Sequence, residues 1–359
     1  MEPVFLNEIL EDAETILPKI WLDLPNIVTH LYDHPSTVRF LAGGAYRARR
    51  AEYHAVQFGR VPTGAITVGH DFWMQCCGRV VADMIPHGLS DVGDAFTTSS
   101  DPTDMDHECV LLTRFGHGTW GHWLGEILPM AAVVEARFPG RFRYAVSDEA
   151  GNYKDRVVES LAAYGIVEDR LFRLGPGRPY RFLNAYAVTP VWSDASIHPG
   201  VLDVMRGTVR FSPVRPGNER IALMRRDDPK RTIENSAEIE GVLAGYGFTL
   251  TDMAHLPFSD QVRAFQSAHT VFGVLGSGLT SLIYSPNQVR VVVVRPSGWL
   301  DQFFYAIAQH RHAQWVEIAG PSRTDHAFSG PFHVPIEAIH DGLARATVVG
   351  NPACPIGRR

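Results

Sequence analysis

Residues 290–296 read RVVVVRP, with apolar side chains at four consecutive positions, Val291 to Val294. Successive side chains of a strand point to opposite faces, so this run must be covered on both sides. That suits a central strand of a parallel sheet flanked by helices rather than a half-wet antiparallel one. The surrounding chain agrees: IALMR, FTLT, TVFGV and QWVEI read as strands, and NSAEIEGVLAGYG, SDQVRAFQSA, GLTSLIYS and LDQFFYAIAQ read as the helices between them. The half from Cys109 onward shows the same alternation. There VLLTRF and RYAVS are strands, WGHWLGEILPMAAVVEARF and NYKDRVVESLAAYG are helices, and a further strand (Phe182 to Val188) and helix (Val201 to Val209) follow. Between the halves, SPVRPGNE (Ser212 to Glu219) has the Pro, Gly and charge of an exposed connection. The first hundred residues carry short apolar runs, TVRFLAG, ITVGH and GRVVADM, that read as a β-rich entry region.

These patterns predict an α/β fold. The β-rich region (1–108) forms part of a first domain whose α/β unit spans 109–211; a second unit covers 212–320, and 321–359 is a C-terminal tail. In such sheets ligands gather beyond the carboxyl ends of the strands. The two units are therefore expected to share a cleft, with site residues at strand ends.

With 45% hydrophobic and 20% charged residues, the 359-residue chain can bury a large core. A net charge of -6 provides no basic surface for nucleic acid as the main partner. The acidic N-terminus lacks a signal-peptide pattern and no segment has the apolar length of a membrane span, so a cytoplasmic protein is expected, with a peripheral position at the inner membrane face as a variant. Cys76, Cys77, Cys109 and Cys354 form neither a disulfide framework nor a zinc pattern, and His310 and His312 lack ligand spacing. Asp104 and Asp106 could hold a divalent ion with a nucleotide diphosphate, but a solvated loop explains them as well. No metal and no resident cofactor are expected.

Two stretches carry chemistry. In GVLGSGLTSLIYSP (Gly273 to Pro286) a strand runs into a glycine-rich turn and a short helix. Amides at such a turn converge on an anion, and glycine admits a phosphate close to the main chain. The spacing is neither GxGxxG nor a Walker loop, and a tight bend packed under a sheet is the competing account. Upstream, MRRDDPKRTIENSAEI places Arg225 and Arg226 at a strand's carboxyl end, followed by Lys230, Arg231 and Asn235. Guanidinium groups there suit bidentate phosphate binding, although Asp227 and Asp228 could pair with them. Asn235 and Glu238 stand at capping-box spacing. In the first half, His122 and Glu126 lie four apart on one helix face, where either could serve as a base supported by the other. His117, just before that helix, is a secondary candidate. Trp120, Trp123, Ile127 and Met130 read as core.

In order, GHWLGEILP, MRRDDPKRTIENSAEI, FSDQVRAFQSAHTVFGVLGSGLTSLIYSP and FFYAIAQHRHAQW resemble glycosyltransferase family 61 and its bacterial capsular polysaccharide relatives, over roughly Cys109 to Val316. The resemblance implies an inverting glycosyltransferase of the GT-B fold, with two Rossmann-like domains facing a cleft. A nucleotide-sugar donor would sit mainly on the second domain and a glycan, lipid-linked or other hydroxyl acceptor on the first, without metal. By position, His122, Trp123, Glu126 and Pro129 match the family's HW, acid and Pro. Arg225, Arg231 and Asn235 match its donor-side residues, and Gly276, Ser277, Gly278 and Leu279 its HGAGL-type turn, with the amides up to Thr280 around the diphosphate. Two positions depart: Leu275 stands where the family has His, and Val293 near where it often has an acid. A noncatalytic nucleotide- or sugar-binding protein, or a transferase of another group, are the alternative readings. A homodimer is compatible with the sequence.

Overall fold

The valine run lies in strand Arg290–Pro296, whose side chains feed two separate apolar layers. Val291 and Val293 join one cluster, Val292 and Val294 the other, and all four are fully buried. This strand lies within a six-stranded C-terminal sheet. Its order is Thr249–Thr251, Glu219–Leu223, Ala268–Val274, Arg290–Pro296, Gln314–Gly320 and Val28–Tyr32, and every neighbouring pair is parallel. The computed structural model describes residues 4–32, 49–69, 74–77, 79–82, 101–114, 117–148, 154–193, 196–211, 217, 219–225, 231–299, 301–322 and 330–347. TVRFLAG, most of SPVRPGNE, residues 226–230 (with Arg226, Asp227, Asp228 and Lys230) and Cys354 lie outside them.

One face of the C-terminal sheet is covered by helices Ser236–Gly245 and Ile336–Thr347, through Ile239, Leu243, Ala338, Ile339, Leu343 and Ala346. The other face is covered by Phe258–Ser267, the tight helix Ser277–Tyr284 and Gln302–His310. This is the mixed α/β architecture that the apolar patterning predicts. Two features lie outside what the pattern showed. The segment after residue 320 supplies the core helix Ile336–Thr347. Strand Val28–Tyr32, from the N-terminal region, completes the far edge of the C-terminal sheet beside Gln314–Gly320.

The first half centres on another six-stranded sheet, ordered Glu11–Leu17, Val56–Arg60, Ala185–Val188, Cys109–Leu111, Arg143–Ser147 and Leu171–Leu174. Its last four strands are parallel, while Val56–Arg60 runs antiparallel to both of its neighbours. The predicted strand Phe182 to Val188 divides in two. Tyr180–Phe182 pairs within a five-stranded sheet and Ala185–Val188 within the first, the chain crossing between them at Leu183 and Asn184. A single apolar cluster then spans both halves, uniting Trp120, Trp123 and Leu124 with Phe258, Leu279, Leu282 and Ile307. Polar contacts reinforce the seam: Tyr164 and Tyr284 hydroxyls meet at 2.8 Å, and Trp192 stacks on Phe303 with centroids 4.4 Å apart.

Within the C-terminal sheet, Arg295 and Glu317 are both fully buried. Arg295 Nε donates to Glu317 Oε1 at 2.5 Å and its Nη1 to the carbonyls of Pro296 and Ser297, while Trp315 Nε1 donates to Glu317 Oε2 at 2.9 Å. A desolvated pair of this kind is held by its mutual charge, so removing one partner strands the other in low dielectric. Arg295→Met is expected to lower stability by about 3–5 kcal/mol in urea unfolding, and Arg295→Met with Glu317→Leu to recover much of the loss. Equal stability of the single variant and the parent would contradict this account.

Candidate active site

Helix formation over residues 120–137 is interrupted where the candidate pair sits. Leu128 N–H donates to Trp123 O, five residues back rather than four, giving a π turn over Trp123–Ile127 between the regular turn Trp120–His122 and helix Leu128–Arg137. Pro129 explains part of this. It has no N–H, so the carbonyl of Gly125, four residues earlier, cannot receive its ordinary helical donor. Trp192 Nε1 takes that place at 2.6 Å. π turns of this kind recur at functional sites because they re-aim side chains.

Glycines let this turn approach the second half closely. A methyl group built on Gly125 would stand 2.6 Å from Phe303 Cζ and 3.4 Å from Thr280 Cγ2, and one on Gly121 would stand 3.1 Å from Ser277 Oγ. The start of the Trp120 helix therefore rests on the glycine-rich turn itself. Its orientation is fixed by two indoles: Trp120 Nε1 donates to Gln261 Oε1 in the second half at 3.1 Å, and Trp123 Nε1 to Ser160 Oγ in the first at 2.9 Å.

Glu126 is buried and lies between two basic side chains. His122 Nδ1 is 2.6 Å from Glu126 Oε1, and Arg114 Nη1 is 2.7 Å from Glu126 Oε2. Arg114 follows strand Cys109–Leu111, at the sheet's carboxyl edge, and is itself 5% exposed. The sequence reading missed it. VLLTRF shows a strand ending in arginine, but nothing in the spacing says that its partner is on the following helix. His122 is the more open member, its side chain 28% exposed against 8% for Glu126. His117 is half-buried, with Nδ1 3.2 Å from the carbonyl of Arg114.

Across the contact, strand Ala268–Val274 leads through Leu275 and Gly276 into helix Ser277–Tyr284. Gly276 is needed for space: a Cβ there would collide with Arg225 Nη1 and lie 3.3 Å from Arg231 Nη1. Two guanidinium groups thus converge on one point of the turn. Arg231 Nη1 donates to Leu275 O at 2.7 Å, and its guanidinium lies 4.1 Å from the Trp299 ring centroid. Burial pulls the Arg231 pKa below the usual arginine value, with Asp301 acting in the opposite direction. An anion beside it would favour its charged form further.

The remaining turn residues divide by environment. Ser277 and Gly278 are half-buried, while Leu279 and Thr280 are fully buried. Leu279 N–H already donates to Gly276 O, so amides able to meet a ligand belong to the first helical positions, Ser277 and Gly278. Asn235 stands apart from this group. Its amide donates to Val334 O at 2.8 Å and accepts from Val334 N–H at 3.1 Å, and its side chain does not cap the helix that follows. That pairing ties Asn235 to the C-terminal segment instead of to the turn or to its own helix. Leu275 and Val293, the two departures from the family pattern, are both core residues.

Asp104 and His310 have partners away from this site. Asp104 lies on strand Thr103–Met105, 3.3 Å from Arg181 Nη1. His310 is buried, with Nε2 3.0 Å from Ser196 Oγ and 3.1 Å from Tyr53 OH, and its pKa is pushed down to about 3, mainly by burial and then by Arg311. Among the described residues no helix is long and apolar enough to cross a membrane.

Chemically, the assembly offers an imidazole backed by a carboxylate on one side and two guanidiniums with helix-start amides on the other. No curated protein matches the chain. The family model described as Glycosyltransferase 61 matches residues 120–292, a span that starts at Trp120, includes the glycine turn and ends within the valine strand. Glycosyltransferases need both a sugar donor and an acceptor. Over residues 120–292, which hold both sides of this site except Arg114 and His117, the chain is similar to the glycosyltransferase 61 family.

Proposed function

We propose that the protein is an inverting glycosyltransferase with GT-B organisation, moving a sugar from a nucleoside-diphosphate donor to a hydroxyl of a glycan or lipid-linked acceptor. The unit over 109–211, with the N-terminal region, receives the acceptor, and the unit over 212–320 holds the donor. The observation that carries this reading is the contact between Gly121 and Ser277. It sets the His122–Glu126 pair beside the turn on which Arg225 and Arg231 converge.

Of the two assignments for the pair, we favour His122 as the base. Both Glu126 oxygens face basic side chains, one the His122 ring and one the Arg114 guanidinium. A carboxylate so engaged is suited to orient and support, while His122, with Nδ1 donating to it, presents a basic Nε2. In the proposed reaction Nε2 takes the acceptor proton, the acceptor oxygen bonds to the anomeric carbon, and the bond from that carbon to the diphosphate breaks with inversion. Negative charge grows on the departing diphosphate. Arg225, Arg231 and the N–H groups of Ser277 and Gly278 stabilise it there, so the reaction needs no metal. Synthesis of a surface polysaccharide at the cytoplasmic side of a membrane is the setting in which such a transfer would serve. The alternative of a binding protein without turnover draws on Leu275 and Val293, which supply no polar group to the site.

Turnover and binding separate these roles. With a panel of UDP-, GDP- and CDP-linked sugars, His122→Ala is expected to lower nucleoside diphosphate release by about 10²–10⁴-fold while calorimetric affinity for the free nucleoside diphosphate stays within twofold. Undiminished release in that variant would remove His122 from the mechanism, and absence of release in the parent protein with measurable binding would favour the non-turnover alternative.

Arg225→Ala is expected to weaken nucleoside diphosphate binding roughly 10- to 100-fold, the value of a charged hydrogen bond. Gly276→Ala should weaken it in the same direction by displacing the Arg225 guanidinium, with little change in melting temperature. Parent-like affinity in both variants would place the diphosphate elsewhere.

A further inference from the structure

The Glu126 carboxylate is buried, yet the group it supports must end each cycle able to accept a proton. A buried carboxylate facing an imidazole has three arrangements available: it can accept from a neutral ring, form an ion pair with a charged ring, or take up a proton and donate to the ring. Only the first leaves Nε2 as a base. Something must select it, and the helix alone does not, because His122 and Glu126 share one face whichever arrangement holds.

We infer that Arg114 is the positioning residue that makes this selection: its guanidinium holds Glu126 as a carboxylate directed at His122 Nδ1, so that the neutral ring keeps its proton on Nδ1 and its lone pair on Nε2. The geometry supports the inference at each link. Arg114 Nη1 sits 2.7 Å from the oxygen that His122 does not use, an ion-pair contact by charge and distance rather than an aligned hydrogen bond, so the carboxylate is shared rather than contested. Arg114 is almost wholly buried, and its Nε makes no hydrogen bond among the described residues, so Glu126 is the partner that accounts for its charge. Arg114 also comes from the sheet rather than from the helix, which fixes the carboxylate from outside the π turn. Other charged groups near this end of the helix include His117, held 3.2 Å from the Arg114 carbonyl, Arg156, whose guanidinium lies 5.3 Å from the Trp120 ring centroid, and, beyond the glycine turn, Arg225 and Arg231. Tyr284, on the helix packed against it, is fully buried and bonded to Tyr164.

Removing the guanidinium leaves a buried carboxylate without its outer cation. Glu126 then either takes a proton and donates it to Nδ1, or draws a second proton onto the ring. In both cases His122 leaves the neutral Nδ1–H form. Arg114 touches no reacting atom, and its role in turnover rests on the transfer mechanism proposed above.

The test is nitrogen NMR of the full chain labelled at histidine with ¹⁵N, at pH 8, with the His122 ring signals assigned by their loss in His122→Gln. The parent is expected to show a neutral His122 ring protonated at Nδ1. Arg114→Met should convert a major share of it to the Nε2–H form or to the imidazolium. Arg114→Gln, which keeps a donor and similar length without the charge, should shift it the same way and guards against poor folding of the first variant; Arg114→Lys should restore part of the parent signal. A His122 ring that stays Nδ1–H and neutral in a folded Arg114→Met or Arg114→Gln protein would overturn the inference. So would a parent ring protonated at Nε2. The measurement needs no substrate, so it stays decisive even if His122→Ala leaves turnover intact and the transfer mechanism fails. If His122→Ala abolishes turnover while the ring is unchanged in the Arg114 variants, only the role of Arg114 is lost.

Discussion

The site depends on a close approach of side chains to main chain that three glycines permit. Gly121 lies against Ser277, Gly125 against Phe303 and Thr280, and Gly276 against the Arg225 and Arg231 guanidiniums. A Cβ on Gly121 or Gly125 would press on the other half, where the two share one apolar cluster and close packing resists added volume, whereas one on Gly276 would displace the Arg225 guanidinium. The Trp120 and Trp123 indoles pin the same helix to each half, so the contact is directional as well as close. Because the two halves meet here, a histidine from one and a pair of arginines from the other are brought to the same turn.

Buried charge is the second organising element. Arg114 with Glu126 and Arg295 with Glu317 are both desolvated pairs, but their settings differ. Arg295 Nη1 is met by backbone carbonyls and Glu317 Oε2 by an indole, with no exposed surface, as expected for a pair that fixes strand packing. Glu126 instead passes its second oxygen to a histidine with a partly exposed side chain. This pair therefore connects the interior to a partly exposed ring, whereas Arg295 and Glu317 are enclosed.

Much of this was legible in residue patterns. The four consecutive valines required a strand covered on both faces, and the structure covers it so. The i,i+4 spacing of His122 and Glu126 placed them on one face, and the glycine turn fell at a strand's carboxyl end, where α/β sheets collect ligands. What stayed hidden were partnerships across long separations. Arg114 meets Glu126 only because a strand end and the next helix converge. Strand Val28–Tyr32 joins Gln314–Gly320, and a parallel pairing between such distant segments leaves no local signature. The π turn was concealed for a different reason: Pro129 marks where a hydrogen bond is lost, but only the fold shows that Trp192 replaces it. Asn235 looked like a helix cap because capping boxes are local, yet a backbone segment nearly a hundred residues away takes both ends of its amide.

The claim that the two halves form one reaction site is tested most directly by a crystal structure of the chain with UDP, GDP or CDP bound. The account predicts the diphosphate within hydrogen-bond distance of Arg225, Arg231 and the Ser277 and Gly278 amides, with the His122 ring turned toward its outer phosphate. A nucleotide seated away from Gly276, with His122 facing a different surface, would contradict it.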